Sequence, residues 1–224
     1  MFGRVAGRYD LLNHLLSFQT DRYWRAQTVK CVSPILTRPD ARVMDLCCGT
    51  GDLMLALESR RGGPVYGSDF CHPMLVEAGR KSAARLSRTV LFEADALRLP
   101  LPDASFDLIT VAFGFRNFAN YRKGLVELRR VLRLGGQLAI LEFSQPPNRL
   151  FRALYNGYSK HVLPRIGALV SGTSDAYTYL PESVRKFPGP DELAAEMREC
   201  GFGPVEYTRM TYGIVALHIG TAAN

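Results

Sequence analysis

The chain has 224 residues, of which 47% are hydrophobic and 22% are charged, and its formal net charge is +7 at pH 7. This balance predicts one globular domain with a sizeable core and excludes a disordered chain. No apolar run approaches the roughly 18 residues of a membrane-spanning helix, and the N-terminus lacks the apolar segment of a signal peptide. The positive charge permits nucleic acid, an anionic membrane surface or an acidic ligand as a partner, without choosing among them.

The cysteines predict neither a disulfide framework nor a metal site. There are five, which is an odd number, and two of them are adjacent. With four histidines and no Cys-x-x-Cys spacing, the chain also lacks the usual ligand pattern of a zinc site. We therefore expect no bound metal and a reducing, cytoplasmic location.

The first 38 residues predict a helical cover, and an alternation of strands and helices follows it. Leucines recur at helical spacing in YDLLNHLLSF, and DRYWRAQTVKCV is a second helical stretch. The predicted strands are ARVMDL, PVYGSDF, TVLFEAD, FDLITVAF and GQLAILEF. The helices between them are TGDLMLALESR, HPMLVEAGRKSAARL and YRKGLVELRRVLRL, the last of which we expect to end at Gly135-Gly136. This order indicates a parallel sheet covered on both faces.

Residues 144–189 interrupt the alternation with a predicted helical insertion, or lid. DELAAEMREC then predicts a helix that ends at Gly201, and PVEYTRM with GIVALHIG predicts a closing hairpin. We therefore predict a single domain over residues 1–224 with an open α/β sheet. The sheet is mostly parallel with a C-terminal antiparallel strand pair, beneath a helical N-terminal cover (residues 1–38) and beside the insertion.

A glycine-rich turn, VMDLCCGTGDL, follows the first strand. In open α/β sheets ligands bind beyond the carboxyl ends of the strands, and Gly49 and Gly51 let the backbone approach a ligand closely. Asp45 lies within an apolar strand, where a carboxylate needs a partner. Asp69 ends the second strand, 18 residues after Gly51, near the position of an acid that binds ribose hydroxyls. Met54 stands where a dinucleotide fingerprint requires glycine, which argues against a nicotinamide enzyme.

Taken singly, each of these features has a plainer explanation, namely a tight turn, a helix cap or a loop carboxylate. Taken in order, CCGTGD, VYGSDF, FEADALRLP and RVLRLGGQLAILEF resemble the motifs of the class I S-adenosylmethionine-dependent methyltransferases. Leu134 replaces the proline that this family usually has before the glycine pair. The resemblance implies that S-adenosylmethionine is the cofactor. Its implied contacts are Asp45, Gly49, Thr50 and Gly51, with Asp69 on the ribose and Asp95 and Ala96 at the adenine.

Three further stretches resemble one branch of that superfamily, the ubiquinone/menaquinone biosynthesis C-methyltransferases. They are VAGRYDLLNHLLSFQTDRYWR, FGFRNF and YTYLPESVRKFP, so the resemblance covers essentially the whole chain. It implies C-methylation of a polyprenyl quinol as substrate. Gln19 and the adjacent cysteines favour the conversion of demethylmenaquinol to menaquinol over the methylation of a benzoquinol in ubiquinone synthesis. A non-catalytic, cofactor-binding scaffold of a quinone-synthesis complex is the remaining alternative.

The FGFRNF loop supplies the candidate catalytic residues. A quinol ring carbon becomes nucleophilic when a ring hydroxyl loses its proton, and Arg116 can stabilise the resulting oxyanion. Asn117 can donate a hydrogen bond to a second oxygen, and the three phenylalanines of the loop can enclose the ring. The alternative for Arg116 is an ion pair that holds the loop, for example with Glu142.

The N-terminal stretch adds Tyr9 and Asn13 as candidates for the substrate pocket. The general base stays open among Tyr9, Asp10, His14 and a bound water. Asp21 stands where the family usually has histidine, so we assign it no catalytic role.

The insertion is basic and amphipathic, with Arg149, Arg152, Lys160 and Arg165 and no acidic residue between Glu142 and Asp175. This pattern favours peripheral contact with an anionic membrane at its inner face, although a lid packed on the sheet fits it equally well. A homodimer also stays open. An RNA or protein methyltransferase would need a recognition domain or an Asn-Pro-Pro-Tyr-like motif. Neither is present, so we expect no nucleic acid partner.

Overall fold

The computed structural model describes residues 17, 19–158 and 182–223. The predicted pocket residues Tyr9 and Asn13, and the candidate bases Asp10 and His14, lie outside the described residues, as does most of the insertion. Seven strands are present, with the bounds β1 Val43–Leu46, β2 Tyr66–Asp69, β3 Val90–Glu93, β4 Phe106–Ala112, β5 Leu132–Phe143, β6 Phe202–Met210 and β7 Val215–Ala222.

Helices precede and connect these strands. Their bounds are α1 Thr20–Cys31, α2 Ser33–Leu36, α3 Asp52–Arg61, α4 His72–Ala84, α5 Tyr121–Val131, α6 Arg149–Gly157 and α7 Pro190–Glu199. Two short 3₁₀ turns cover Phe115–Asn117 and Thr211–Gly213. Residues 182–186 are also helical.

The strands form one sheet in the order β3-β2-β1-β4-β5-β7-β6. All pairs from β3 to β5 are parallel, whereas β7 runs antiparallel to both β5 and β6. The predicted fold class is therefore confirmed. Because the chain turns from one side of β1 to the other when it enters β4, the ends of these two strands form the switch point at which such folds bind ligands.

The sheet is covered by two hydrophobic clusters, one on each face. Met44 and Leu46 of β1 belong to one cluster and Val43 belongs to the other, as the alternation of side chains along a strand requires. Helices α5 and α7 pack into the first cluster, and α1 and α3 pack into the second. As a result, β4 is buried along almost its whole length.

One predicted boundary is wrong. The helix that we expected to end at the glycine pair ends at Val131, and Leu132 already belongs to β5. Leu132 is buried and pairs with Phe106 of β4, next to an irregularity in the ladder. Gly135 has φ +76°, a conformation that glycine adopts readily, so the glycines lie within the strand instead of ending the helix.

The parts of the cover and of the insertion that are described are largely helical, with turns between the helices. Trp24 of α1 is buried against Phe113 and Phe143, and its indole N–H donates to the hydroxyl of Thr211 at 2.7 Å. The described residues of the insertion are 144–158, which contain helix α6, and 182–189, which contain the short helix at 182–186. Within residues 19–158 and 182–223, no helix is long and apolar enough to cross a membrane.

Candidate active site

The turn from β1 to α3 runs through three residues in the left-handed region of φ. They are Cys47 (φ +54°), Gly49 (φ +55°) and Gly51 (φ +88°). A Cβ added to Gly49 would meet no atom within 4 Å, so the backbone here faces open space. Cys47 adopts a conformation that is uncommon for residues other than glycine, and such strain is characteristic of functional sites.

Asp69 at the end of β2 is held against this turn. Its two carboxylate oxygens accept hydrogen bonds from the backbone N–H groups of Gly49, at 2.9 Å, and of Cys71, at 2.8 Å. Burial raises the pKa of Asp69 above its ordinary value. Each oxygen keeps a lone pair, so a fixed carboxylate faces the turn and can accept from two ligand hydroxyls.

Asp45 lies beneath the turn rather than within it. It is 1% exposed, and its carboxylate accepts from the hydroxyl of Thr110 on β4 at 2.6 Å. Burial raises its pKa to about 7. The partner that we expected for this buried carboxylate is thus Thr110 on the neighbouring strand.

Side chains of α1 and α4 fasten the far side of the turn. The ammonium of Lys81 donates to Thr50 at 3.0 Å and to Asp52 at 2.7 Å. On α1, Asp21 forms an ion pair with Arg25, whose guanidinium also lies 3.8 Å from Asp52. Asp21 therefore orients a cation beside the turn, a role that the sequence did not indicate.

The predicted adenine contacts lie at the end of β3. The carboxylate of Asp95 accepts from the backbone N–H of Leu97 at 2.9 Å, and Ala96 is buried. Directly after Asp69, the ring of Phe70 is 75% exposed at the edge of the same turn. Phe70 was not among the residues predicted from the sequence, although its position immediately after the predicted ribose acid was a usable signal.

These residues fit S-adenosylmethionine. Open space beside a glycine backbone, a fixed carboxylate at a strand end and an exposed aromatic ring match the methionine, ribose and adenine parts of that molecule, and Arg25 offers a cation. Among the residues that the structure describes, no three His, Cys, Asp or Glu side chains are grouped so that they could hold a metal ion.

The second loop, FGFRNF, follows β4 and contacts the first one directly. Phe113 has φ +59°, a further left-handed residue that is not glycine. A Cβ on Gly114 would overlap the Cβ of Cys47 and lie 3.0 Å from its Sγ. Only glycine fits at this position, because the two loops meet backbone against side chain.

Arg116 forms the buried ion pair that the sequence offered as the alternative to a catalytic role. Its guanidinium lies 2.8 Å from Glu142 at the end of β5, and its backbone N–H donates to the same carboxylate at 3.1 Å. The guanidinium also donates to the carbonyl of Phe113 and lies 5.4 Å from the ring of Phe143. Its buried Nε has no hydrogen-bond partner. The pair therefore holds the loop and does not use all the donors of the guanidinium.

The three phenylalanines of the loop do not form one wall, contrary to expectation. Phe113 packs with Trp24 and Phe143 on one face of the sheet. Phe115 is fully buried on the other face, with Phe118 at 4.7 Å and Tyr121 at 5.6 Å between ring centroids. Asn117 is exposed in the 3₁₀ turn between them.

The sheet order, the glycine turn after β1 and the acidic side chains after β2 and β3 define a class I methyltransferase, for which S-adenosylmethionine is the methyl donor. Solved structures agree on the fold. A SAM-dependent methyltransferase from Thermotoga maritima matches with TM-score 0.69 at 18% identity, over 99% of this chain and 97% of that one. Another from Aquifex aeolicus matches with TM-score 0.60 at 19% identity, over 89% and 98%.

The chain belongs to the ubiE/COQ5 methyltransferase family, whose model matches residues 1–222. It is 50% identical to the demethylmenaquinone methyltransferase of Thermus thermophilus, over 98% of this chain and 99% of that protein. The demethylmenaquinone methyltransferase of Deinococcus radiodurans is 49% identical, over 98% and 90%. The ubiquinone/menaquinone biosynthesis C-methyltransferase UbiE of Shewanella frigidimarina is 40% identical, over 98% and 88%.

Proposed function

We propose that this methyltransferase C-methylates a polyprenyl quinol, with demethylmenaquinol as the substrate and menaquinol as the product. The observation that carries the proposal is the FGFRNF loop, which brings Arg116 next to the cofactor turn through the contact of Gly114 with Cys47. The relatives at 49–50% identity are named for demethylmenaquinone, which supports the naphthoquinol over a benzoquinol.

S-adenosylmethionine supplies the electrophilic methyl group. On the protein side, Asp69 accepts hydrogen bonds from the ribose hydroxyls, because both of its oxygens are held in place by backbone donors and keep free lone pairs. The exposed ring of Phe70 and the end of β3, at Asp95 and Ala96, receive the adenine. Thr50 and Gly51, fastened through Lys81, fix the turn at which the methionine part lies.

Arg116 acts on the quinol as a hydrogen-bond donor and not as a base. A guanidinium paired with a carboxylate keeps its proton, and Glu142 fixes its orientation. The guanidinium has more N–H groups than its bonds to Glu142 and Phe113 use, and one of these donates to a quinol oxygen as negative charge develops there, while Asn117 reaches a second oxygen. Because Glu142 offsets part of the positive charge, we assign more of the rate to orientation and exclusion of water than to the charge of Arg116.

The experiment is methyl transfer from S-adenosylmethionine to a short-chain demethylmenaquinol, followed by mass spectrometry. A benzoquinol precursor is run in parallel, and each ring is offered reduced and oxidised. A product one methyl heavier, formed only from the reduced naphthoquinol, is expected. Product from the benzoquinol alone would overturn the choice of ring. Absence of product from either ring, with the cofactor still bound, would favour the alternative of a non-catalytic scaffold in a quinone-synthesis complex.

We also propose that the protein works in the cytoplasm, at the inner face of an anionic membrane, where a polyprenyl quinol resides. Helix α6 supports this, because Leu150 and Leu154 lie one turn apart and are 74% and 65% exposed. The test is flotation with anionic vesicles of wild type and of Leu150→Ser/Leu154→Ser. Leu86→Ser is the control, since Leu86 is 91% exposed on another surface. Loss of flotation only in the α6 variant is expected, and equal flotation of all three would contradict the proposal.

A further inference from the structure

A cavity of about 620 Å³ lies beside the site, between the end of β5 and the residues that lead into α7. Four cationic side chains line it, those of Arg152, Arg185, Lys186 and Arg209. Two of them, Arg185 and Lys186, belong to the stretch YTYLPESVRKFP. This stretch has no assigned role in binding the cofactor or the quinol ring. The cavity is therefore a second candidate site.

The four cations differ in how they are held. The guanidinium of Arg152 donates to the carbonyls of Pro146, at 2.7 Å, and of Pro147, at 3.3 Å, which fixes it in place. Arg209 donates to the hydroxyl of Tyr207 at 3.3 Å. Arg185 and Lys186 are exposed and form no ion pair with any residue in the described ranges. An anion in the cavity can therefore meet both cations that are held in place and exposed cations without an ion-pair partner.

The two carboxylates of the cavity already have partners, and one of them, Asp191, also lies 4.0 Å from the guanidinium of Arg209. Asp191 accepts from the hydroxyl of Tyr207 at 2.6 Å, and Glu192 accepts from the backbone N–H of Gly189 at 2.8 Å as part of the cap of α7. Four cations against two carboxylates leave a positive balance. The N-terminus of α7 also lies here, and its backbone N–H groups favour negative charge.

A buried hydroxyl gives an independent sign of a missing ligand. Ser144 lines the cavity, is 6% exposed, and its Oγ has no hydrogen-bond partner. Buried hydroxyls in folded proteins are nearly always hydrogen-bonded, so an unpaired one at the wall of a cavity indicates an absent acceptor or donor. Apolar side chains, Val184 and Phe187, line the same cavity and suit an organic part of the ligand.

We propose that this cavity binds a phosphate group, carried by an anionic phospholipid headgroup or by a small soluble phosphate ester. Phosphate offers several acceptor oxygens to three guanidinium groups, an ammonium and a serine hydroxyl. Arginine suits phosphate because its donors form a planar fork. The volume is within the range of small-molecule sites. Binding here does not depend on which ring the enzyme methylates.

The test compares Arg185→Ala/Lys186→Ala with the charge-matched control Arg80→Ala/Arg85→Ala. Arg80 and Arg85 are exposed on and just after α4, away from the cavity. Purified full-length proteins are titrated with inorganic phosphate and glycerol 3-phosphate by calorimetry, with sodium chloride at equal ionic strength as the blank. In a second arm they are sedimented with vesicles of phosphatidylglycerol and of phosphatidylcholine. Circular dichroism checks that both variants are folded.

Weakening of at least about tenfold in the cavity variant, with the control unchanged, is expected in one arm or both. Weakening in the titration identifies a soluble ester, and weakening only with phosphatidylglycerol vesicles identifies a lipid headgroup. Equal binding by both variants would mean that overall charge, not the cavity, attracts the anion, and would overturn the proposal. Absence of binding in both arms would overturn it as well. Neither readout uses methyl transfer, so the proposed reaction and this site fail separately.

Discussion

The loop after β1 and the loop after β4 lie side by side at the switch point, yet they are built by different means. The first owes its shape to the backbone, with residues in the left-handed region and a carboxylate held by two backbone N–H groups. The second owes its shape to side chains, namely a buried ion pair and packed aromatic rings. A backbone-built loop suits a cofactor shared by many enzymes, whereas a side-chain-built loop can change with the methyl acceptor.

The largest expected effect is in the second loop. Removing one partner of a buried ion pair leaves an uncompensated charge, so Arg116→Ala or Glu142→Ala should lower the free energy of unfolding by about 3–5 kcal/mol. Replacing both, as Arg116→Met/Glu142→Leu, should restore most of that stability, because apolar residues of similar volume pack in place of the pair. Urea denaturation measures both.

The same double variant separates structure from chemistry. With stability restored, turnover should stay at least about a hundredfold below wild type while the Kd for S-adenosylmethionine is unchanged, because the oxyanion donor is gone. Recovery of turnover along with stability would show that Arg116 only holds the loop.

The next effect is at the junction of the two loops. Gly114→Ala places a methyl group on Cys47 and should destabilise the fold by about 1–3 kcal/mol. It should weaken cofactor binding and turnover together, since the clash pushes both loops. Cys47→Gly/Gly114→Ala removes the clash and leaves glycine at the left-handed position, so both properties should recover. Gly157→Ala is the control, because its Cβ would meet open space. If Gly157→Ala lost as much stability and turnover as Gly114→Ala, the close contact between the two loops would not explain the effect.

A smaller effect is expected from the first loop. Asp69→Asn keeps the shape of the side chain but replaces one acceptor oxygen with a donor, so cofactor affinity should fall by roughly tenfold to a hundredfold. Calorimetry with S-adenosylmethionine measures it. The free energy of unfolding should fall by about 1–3 kcal/mol, because the new amide NH2 faces one of the two backbone N–H donors, and this is less than in the Arg116 variants. The KM for the quinol should change little. A rise in the KM for the quinol as large as the loss of cofactor affinity would argue against the division between the loops.

The smallest effect is a pH dependence from two buried groups. Asp45 has a pKa of about 7 in the fold against an ordinary 3.8, so it favours the fold when protonated, and that stability is lost as pH rises through this range. His218 has a pKa lowered to about 4 by burial, against an ordinary 6.5, so its stability is lost as pH falls from 6.5 to about 4. The two slopes oppose each other over most of the same window.

Variants expose the two opposing slopes. Asp45→Asn keeps an acceptor for Thr110 and removes the larger of the two carboxyl contributions, since the pKa of Asp69 is also raised. The free energy of unfolding should then rise with pH by at most ~1.4 kcal/mol per pH unit between about 4 and 6.5. His218→Gln should leave the opposite slope. Denaturation at several pH values measures both, and a variant with the slope of wild type would refute the assignment for that residue.

The sequence predicted the strands, their parallel arrangement and the position of the cofactor turn. The strands follow from local periodicity, and the turn follows from closely spaced glycines, which are typical of only a few kinds of structure. It misjudged the end of α5, since a glycine pair that usually ends a helix lies here inside a strand that starts early to pair with Phe106. The pairing partner is distant in sequence, so no local signal revealed it.

The side-chain contacts of the site were harder to predict. Loop composition suggested that three phenylalanines enclose the substrate. Beyond the end of β4, however, the chain passes from one face of the sheet to the other between Phe113 and Phe115. Phe113 therefore packs on one face, and Phe115 and Phe118 pack on the other. Asp21 and Arg25 join the site only because α1 packs over the turn. The ion pair of Arg116 with Glu142, which the sequence offered as the alternative to a catalytic role, is present, because Glu142 lies at the end of the strand next to β4.

The single tryptophan of the chain gives the molecule an internal optical probe. Trp24 on α1 packs against Phe113 and Phe143, beside the loop proposed to bind the quinol. Its N–H donates to Thr211 in the turn before β7. Its fluorescence therefore reports on one place only, the seam where the N-terminal cover meets the strand ends. Movement of the cover would expose the indole to water and shift its emission to the red, so such a movement can be followed without a label while either substrate is added.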